Sequence, residues 1–234
     1  MSFPLWTRRG TKVARRTRNL PLWLIPTLGL VETQTCPQGC PLTLILASTS
    51  IVRAQMLGAA GVAHAVRAPA LDEAAIKHGF AGDGATLALR LAEAKAQSVA
   101  AGPGDWVIGS DSTISVDGTL YSKPSDRAQA AEHLAAFSGR PMLLASAVAL
   151  ARSGRLEWSH CDTATLEVRS LSAQFIADYL DVEWPEVAYC VGVFRIEGRG
   201  VTLFERIDGN HFTILGMPLL PLLGALRERK ILPS

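Results

Sequence analysis

From Thr43 onward, apolar and polar positions recur with regular periods, and those periods predict alternating strands and helices. The run "TLILAS" (43–48) is apolar and short, as a buried strand requires, and Val52, Met56, Leu57 and Ala60 then fall on one face of a following helix. "ATLALRLAEAKAQSVA" (85–100), rich in alanine and leucine, predicts a stronger helix. "DWVIGSDSTISVDGTLYSKP" (105–124) predicts a strand, a break at Gly109-Ser110-Asp111, and a hairpin whose Asp117-Gly118 supplies the positive φ angles of a tight turn. "SDRAQAAEHLAAFSGR" (125–140) predicts a helix capped by Ser125 or Asp126 and closed at Gly139. Two long strands, "MLLASAVAL" and "LEWSHCDTATLEV", are joined by the turn "ARSGR". A helix near 172–181, further strands, and a last helix near 218–230 opened by Pro218 complete the chain. No repeat and no low-complexity linker divides residues 43–234, so one domain is expected there. Strands alternating with helices and interrupted by hairpins imply an α/β fold, a mixed twisted sheet with flanking helices.

Composition changes this picture little. At 234 residues, 48% hydrophobic and 19% charged, the chain can bury a substantial core as an ordinary globular protein. Charge is more informative. Arg8, Arg9, Lys12, Arg15, Arg16 and Arg18 stand against Glu32 alone in the first 40 residues, so the rest of the chain is slightly acidic although the total is +2. The body therefore lacks the positive field of a general nucleic-acid binder, while a local anion pocket stays open. Within the basic head, "LPLWLIPTLGLV" (20–31) follows the arginines in the order of a secretory signal. It contains two prolines, is followed by "ETQT" instead of a small-residue cleavage site, and is too short and broken to span a bilayer. Residues 1–42 are expected to be a disordered basic extension or an over-long start. Four cysteines are too few for a disulfide scaffold, which points to a reducing cytoplasm. The pair in "CPQGC" has no second pair to complete a zinc site.

Three positions carry candidate chemistry. If Ser50 caps the helix after the first strand, Arg53 lies in its first turn, where exposed amides already create positive charge. An arginine there is favourable when an anion occupies the helix start, bonded by amides, by the hydroxyls of Ser48, Thr49 and Ser50, and by the guanidinium. Otherwise it is a solvated arginine beside an ordinary cap. Lys95 interrupts the stripe Leu87, Leu91, Lys95, Val99, so its stem either snorkels over the core edge or carries the ammonium into a cleft. Asp111 follows an apolar run at a glycine-marked break, where an aspartate can bind a metal, orient water, or merely bond its own turn. Lys123 precedes Pro124 and is held extended; "LDEAA" adds Asp72 and Glu73, and Glu197, Glu205 and Asp208 are later acids. The five histidines show no ligand spacing. No P-loop, G-x-G-x-x-G or G-x-S-x-G motif occurs, which argues against a P-loop enzyme, a Rossmann dehydrogenase and a serine hydrolase. Arginine, lysines, hydroxyls and carboxylates together suit a metal-bridged polyphosphate.

These motifs, "LILASTSIVRAQML", "LDEAA", "LRLAEAKAQ", "VIGSDSTISVDGTLYSKPSDRAQAAEHLAAFSGR" and "LFERIDGNHFTILGMPLLPLLGALRERKIL", resemble the Maf (septum formation) family of nucleoside triphosphate pyrophosphatases from Leu44 to Leu232. The resemblance implies an ITPase-like two-lobed single domain with a central cleft. It also implies cleavage of the α–β phosphoanhydride of a nucleoside triphosphate to the monophosphate and pyrophosphate, with Mg²⁺ or Mn²⁺. By motif, Asp111 matches the water-activating aspartate and, with Glu73 of the acidic loop, the metal-binding positions. Ser48, Ser50, Arg53, Lys95 and Lys123 match the substrate-binding positions.

Of three specificity positions, the sequence departs from the family pattern at two, Val52 and Ser112, and agrees with one group of members at the third, Glu197. Where two arginines usually follow a proline after the serine-rich turn, this chain reads Ile51, Val52 and Arg53. Ser112 follows the aspartate where threonine or glutamine is usual, and Glu197 stands where the 7-methyl-GTP-type members also carry glutamate. A carboxylate accepts bonds from N1–H and the 2-amino group of guanine, which favours a purine or methylated purine. The missing second arginine motivates an alternative, a nucleotide-binding regulator of cell division without turnover. Partners implied are a nucleoside triphosphate and a second copy in a homodimer, with neither nucleic acid nor membrane.

Overall fold

The computed structural model describes residues 43–233; the basic head and the "CPQGC" pair lie outside them. The strands are β1 (Leu44–Ala47), β2 (Ala65–Arg67), β3 (Trp106–Val116), β4 (Thr119–Tyr121), β5 (Pro141–Arg152), β6 (Arg155–Val168) and β7 (Phe204–Asp208). The helices are α1 (Ile51–Ala59), α2 (Glu73–Lys77), α3 (Gly84–Ser98), α4 (Arg127–Phe137), α5 (Ala173–Glu183), α6 (His211–Ile214) and α7 (Leu219–Glu228). The strands form one mixed seven-stranded sheet in the order β2-β1-β3-β5-β6-β7, with β4 also paired to β3. β1 is parallel to β2 and β3, whereas β3, β5, β6 and β7 are successive antiparallel neighbours. The α/β expectation therefore holds. Among the described residues no helix is long and apolar enough to cross a membrane.

The break expected at Gly109-Ser110-Asp111 is absent: β3 runs unbroken from Trp106 to Val116. Gly109 serves close approach instead of a turn. A Cβ there would lie 2.1 Å from the carbonyl oxygen of Ala92 and 2.5 Å from the amide nitrogen of Ala96, because α3 crosses directly over it. The contact is extended by small residues, Ala88, Ala92 and Ala96 of α3 lying against Ala145, Ala147, Ala149 and Ala151 of β5. The real discontinuity belongs to β1, which ends at Ala47 opposite Gly109 and leaves the following residues of β3 without a parallel neighbour. The expected tight turn is present, with Asp117 and Gly118 at φ of 50° and 76°.

The opposite face of the sheet carries two apolar cores. One joins Ile114 and Val116 of β3 and Met142 and Leu144 of β5 to Leu134, Phe137, Ile176 and Leu180 of α4 and α5. The other joins Leu46, Ile108, Val148 and Leu150 to Met56 and Leu57 of α1 and Leu222 and Leu226 of α7. The same long strands thus support both cores, one towards each end. Beyond α5, the further strands expected reduce to β7. Residues 185–203 instead double back through short 3-10 turns at Glu186–Tyr189 and Arg199–Leu203. A Cβ on Gly200 would sit 2.5 Å from the carbonyl oxygen of Arg195, which shows how tightly this segment folds on itself.

Candidate active site

The carboxyl end of β1 opens into the first half of the site. Ser48 is buried, and its hydroxyl accepts from the Ser50 amide at 3.1 Å. Ser50 caps α1, its side chain accepting from the Arg53 amide at 3.4 Å. The first turn of α1 contains no acid to offset the positive end of the helix, which suits an incoming anion. Arg53 engages all three of its nitrogens within the protein. Nε donates to the Gly216 carbonyl at 2.9 Å, Nη1 to the Ser110 carbonyl at 2.8 Å and more weakly to Ser48 Oγ at 3.5 Å, and Nη2 to Ser112 Oγ at 3.1 Å. Burial lowers the Arg53 pKa, while the charges of Asp111 and Glu73 act against that shift.

On the other face of β3, Asp111 points to α3. Lys95 is 7% exposed and does not snorkel; its ammonium lies 3.1 Å from Asp111 Oδ1 and 2.8 Å from Glu73 Oε1. Glu73 opens α2, where the Asp72 side chain caps the helix, and its other oxygen lies 3.3 Å from Lys77 Nζ. Burial pushes the Glu73 carboxyl up, but the bonds and charges of Lys95 and Lys77 outweigh it, so its pKa is lowered on balance. Two carboxylates are thereby held on one buried ammonium at the edge of the sheet.

A pocket of about 400 Å³ lies on the outer flank of α1. Val52, Gln55 and Met56 form one wall, Phe212 and Leu215 another, and among the described residues Glu197 is the one ionisable group lining it. Two of the three specificity positions read from the sequence, Val52 and Glu197, therefore meet in one pocket. Ser112 does not line it and instead lies beneath the segment that carries Phe212 and Leu215, bonded to the Gly216 carbonyl at 3.1 Å.

Lys123 is exposed on the segment after β4, and among the described residues no hydrogen bond or ion pair joins it to the Lys95 cluster. Its charge is felt at Cys190, whose thiol is pushed up to about 11 by burial and by Glu197 against the opposing effect of Arg195 and Lys123. The positions that sequence reasoning passed over are Gln55 and Phe212 in the pocket, and Ser110, Ser146, Asp162 and Thr213 beside Ser112. Serines at 110, 112 and 146 do interrupt apolar stripes, and that was the available signal.

Among the described residues no three His, Cys, Asp or Glu side chains are grouped to cage a metal ion. The donor set still fits a hard divalent cation. Such ions bind through one or two carboxylates together with substrate phosphates, and Asp111 and Glu73 provide that pair.

The chain resembles known proteins over most of the described residues. Residues 43–229 match the family model described as Maf-like protein. A "7-methyl-GTP pyrophosphatase" from Rhizobium meliloti is 47% identical over 189 residues, covering 79% of this chain and 95% of its own. A "Nucleoside triphosphate pyrophosphatase" from Nitrobacter hamburgensis is 45% identical over 194 residues, covering 82% and 96%. Among solved structures, a nucleoside-triphosphatase / dITP/XTP pyrophosphatase from Mycobacterium abscessus aligns at 18% identity with a TM-score of 0.35, over 54% of this chain and 73% of that one. With the family model matched over four-fifths of its length and relatives this similar, the chain belongs to the Maf-like protein family.

Proposed function

We propose that this protein hydrolyses the α–β phosphoanhydride of a nucleoside triphosphate, releasing the nucleoside monophosphate and pyrophosphate, with a purine or 7-methylated purine as the favoured base. The observation that carries this reading is the placement of α1. Its capped first turn faces the end of β1 beside Arg53, and its flank walls the Glu197 pocket. A nucleotide lying along the helix would put phosphates at one end and base at the other. The names of the relatives at 45–47% identity support the same reaction.

In this reading Asp111 accepts a proton from water as the water oxygen attacks the α-phosphorus and the bond to the bridging oxygen breaks. Lys95 fixes the carboxylate through Oδ1, leaving its other oxygen for the water. The Ser48 and Ser50 hydroxyls and the α1 amides hold phosphate oxygens, Arg53 adds its charge, and Lys95 and Lys123 oppose the charge growing on the leaving pyrophosphate. Asp111 and Glu73 would hold a divalent cation, Mg²⁺ or Mn²⁺, which when bound neutralises phosphate charge and acidifies water. Glu197 accepts from N1–H and the 2-amino group of a guanine, against the apolar wall of Val52 and Phe212.

A panel of common and modified triphosphates, assayed for pyrophosphate with Mg²⁺ and with Mn²⁺, tests this directly. Metal-dependent release, greatest for a guanine nucleotide, is expected. Saturable binding with no pyrophosphate from any nucleotide would replace the enzyme with a nucleotide-binding regulator.

A further inference from the structure

Between the two apolar cores, the same face of the sheet carries a line of polar groups. Ser112 of β3, Ser146 of β5 and Asp162 of β6 are direct cross-strand neighbours. Apolar residues continue above and below them: Ile108 and Ile114 on β3, Leu144 and Val148 on β5. A polar line at the centre of an apolar face is costly unless every group finds a partner. Here each of the three finds a partner on one segment, residues 210–217, which contains α6 and the turn into α7.

The Gly216 carbonyl receives Arg53 Nε at 2.9 Å, Ser110 Oγ at 3.1 Å and Ser112 Oγ at 3.1 Å. Ser146 Oγ donates to the Thr213 carbonyl at 2.7 Å and lies 2.9 Å from Ser112 Oγ. Thr213 Oγ1 donates to Asp162 Oδ2 at 2.7 Å. Ser110, Ser146 and Thr213 are fully buried. Gly216 has φ of 106°, and a Cβ there would lie 3.3 Å from Ser112 Oγ, so a side chain at this position would be strained and would crowd the serine whose bond the carbonyl accepts.

Two further facts give this network a direction. The segment it grips supplies Phe212 and Leu215 to the pocket, and the helix carrying Arg53 supplies the facing wall. The strand it grips holds Asp111 between Ser110 and Ser112. We infer that the Arg53, Ser112, Ser146, Thr213 and Asp162 network is a positioning device that ties both walls of the base pocket to the backbone flanking Asp111, so that the base bound sets turnover as well as affinity. This rests on the pyrophosphatase reading. Arg53 then acts chiefly through the Gly216 turn, and Ser112 acts on base choice without touching the base.

Thr213 provides the test, because it is buried, lines no part of the pocket, and loses only its hydroxyl in Thr213→Val. With the preferred nucleotide, Thr213→Val is expected to lower kcat about tenfold, the effect of one buried hydrogen bond, with a much smaller change in KM. The kcat advantage of the preferred over the poorest nucleotide should shrink in parallel. Thr213→Ser, which keeps the hydroxyl, should restore both. If Thr213→Val does not fold, Asp162→Ala, which removes the acceptor, is measured for the same loss of base-dependent kcat. Equal loss on every nucleotide, or no difference between the valine and serine variants, overturns the coupling while leaving the pyrophosphatase reading intact. A wild-type protein that releases no pyrophosphate from any triphosphate overturns the reading itself, and the coupling with it.

Discussion

The two faces of β3 are built from alternate residues of one strand, and they solve opposite problems. Gly109, Asp111 and Thr113 turn to α3, where Asp111 meets the ammonium of Lys95 and, across it, the carboxylate of Glu73. Ser110 and Ser112 turn to residues 210–217, where every partner is a hydroxyl or a carbonyl apart from the Arg53 guanidinium. Ion pairs are concentrated on the side where Glu73 is 38% exposed, whereas the enclosed side holds one guanidinium, Arg53, and one carboxylate, Asp162, through hydroxyls and carbonyls alone. Burying an unpaired charge costs several times more than burying a paired hydroxyl. One face is therefore suited to chemistry and the other to fixing geometry.

The sharpest way to break this contrast is Asp111→Asn, which keeps the shape of the charged face and removes its proton acceptor. A fall in kcat of about 10²–10⁴-fold is expected, with little change in unfolding temperature. Pyrophosphate release under saturating nucleotide measures it, and wild-type turnover by the asparagine variant would move the base elsewhere.

The same face is broken sterically by Gly109→Ala. The added carbon would meet backbone of α3 at 2.1 Å and 2.5 Å, and backbone cannot rotate away as a side chain can. A loss of roughly 3 kcal/mol in urea unfolding is expected, at the upper end for overpacking. Gly58, inside α1 with open space where a Cβ would stand, is the control, and alanine there should be neutral or stabilising by up to about 1 kcal/mol.

Gly109 also shows where the sequence was legible and where it was not. Local periodicity and caps placed most elements within a few residues, including α3, the Asp117-Gly118 hairpin and the helix opened by Pro218, because those features are decided by neighbours in the chain. Gly109 read as a break, because a glycine needed for close approach and one needed for a turn look alike until the crossing helix is in place. Lys95 stood out as a cation in an apolar stripe, but which groups it meets depends on α2 and β3, 22 and 16 residues away. Ser112 and Ser146 were harder still. Ser146 is a lone hydroxyl in an apolar strand, Ser112 is one of several in β3, and their alignment with Asp162 comes from sheet register, which no one strand encodes. Val52 and Glu197 were singled out by family resemblance, but their sharing of one pocket comes only from the fold.

Lys95→Met separates charge from packing on the α3 side. The stem remains, but Asp111 and Glu73 lose the ammonium between them, and the expected cost is about 1–2 kcal/mol. Adding Glu73→Gln should recover part of it, because the remaining carboxylate no longer faces a like charge. A double-mutant cycle by chemical denaturation checks the coupling, and strict additivity would mean that the ion pairs contribute nothing to stability.

The smallest effect distinguishes the faces by pH. Because Lys95 and Lys77 hold the Glu73 pKa below its value in the unfolded chain, its contribution is full above the unfolded pKa, near 4.5, and is lost as pH falls through the lower folded value. Glu73→Gln should therefore destabilise at pH 6 to 7 by a few tenths of a kcal/mol, a modest figure because solvent screens a partly exposed carboxylate. The difference from wild type should shrink below pH 4.5 and also in 1 M salt. Ser146→Ala, on the enclosed face, removes no ionisable group, and its cost should stay level from pH 7 to below pH 4, the range in which the Glu73→Gln difference collapses, and be indifferent to salt. Stability curves for the two variants that fell in parallel across that range would erase the distinction between a face of ion pairs open to ligand and a face that holds shape through hydroxyls and carbonyls.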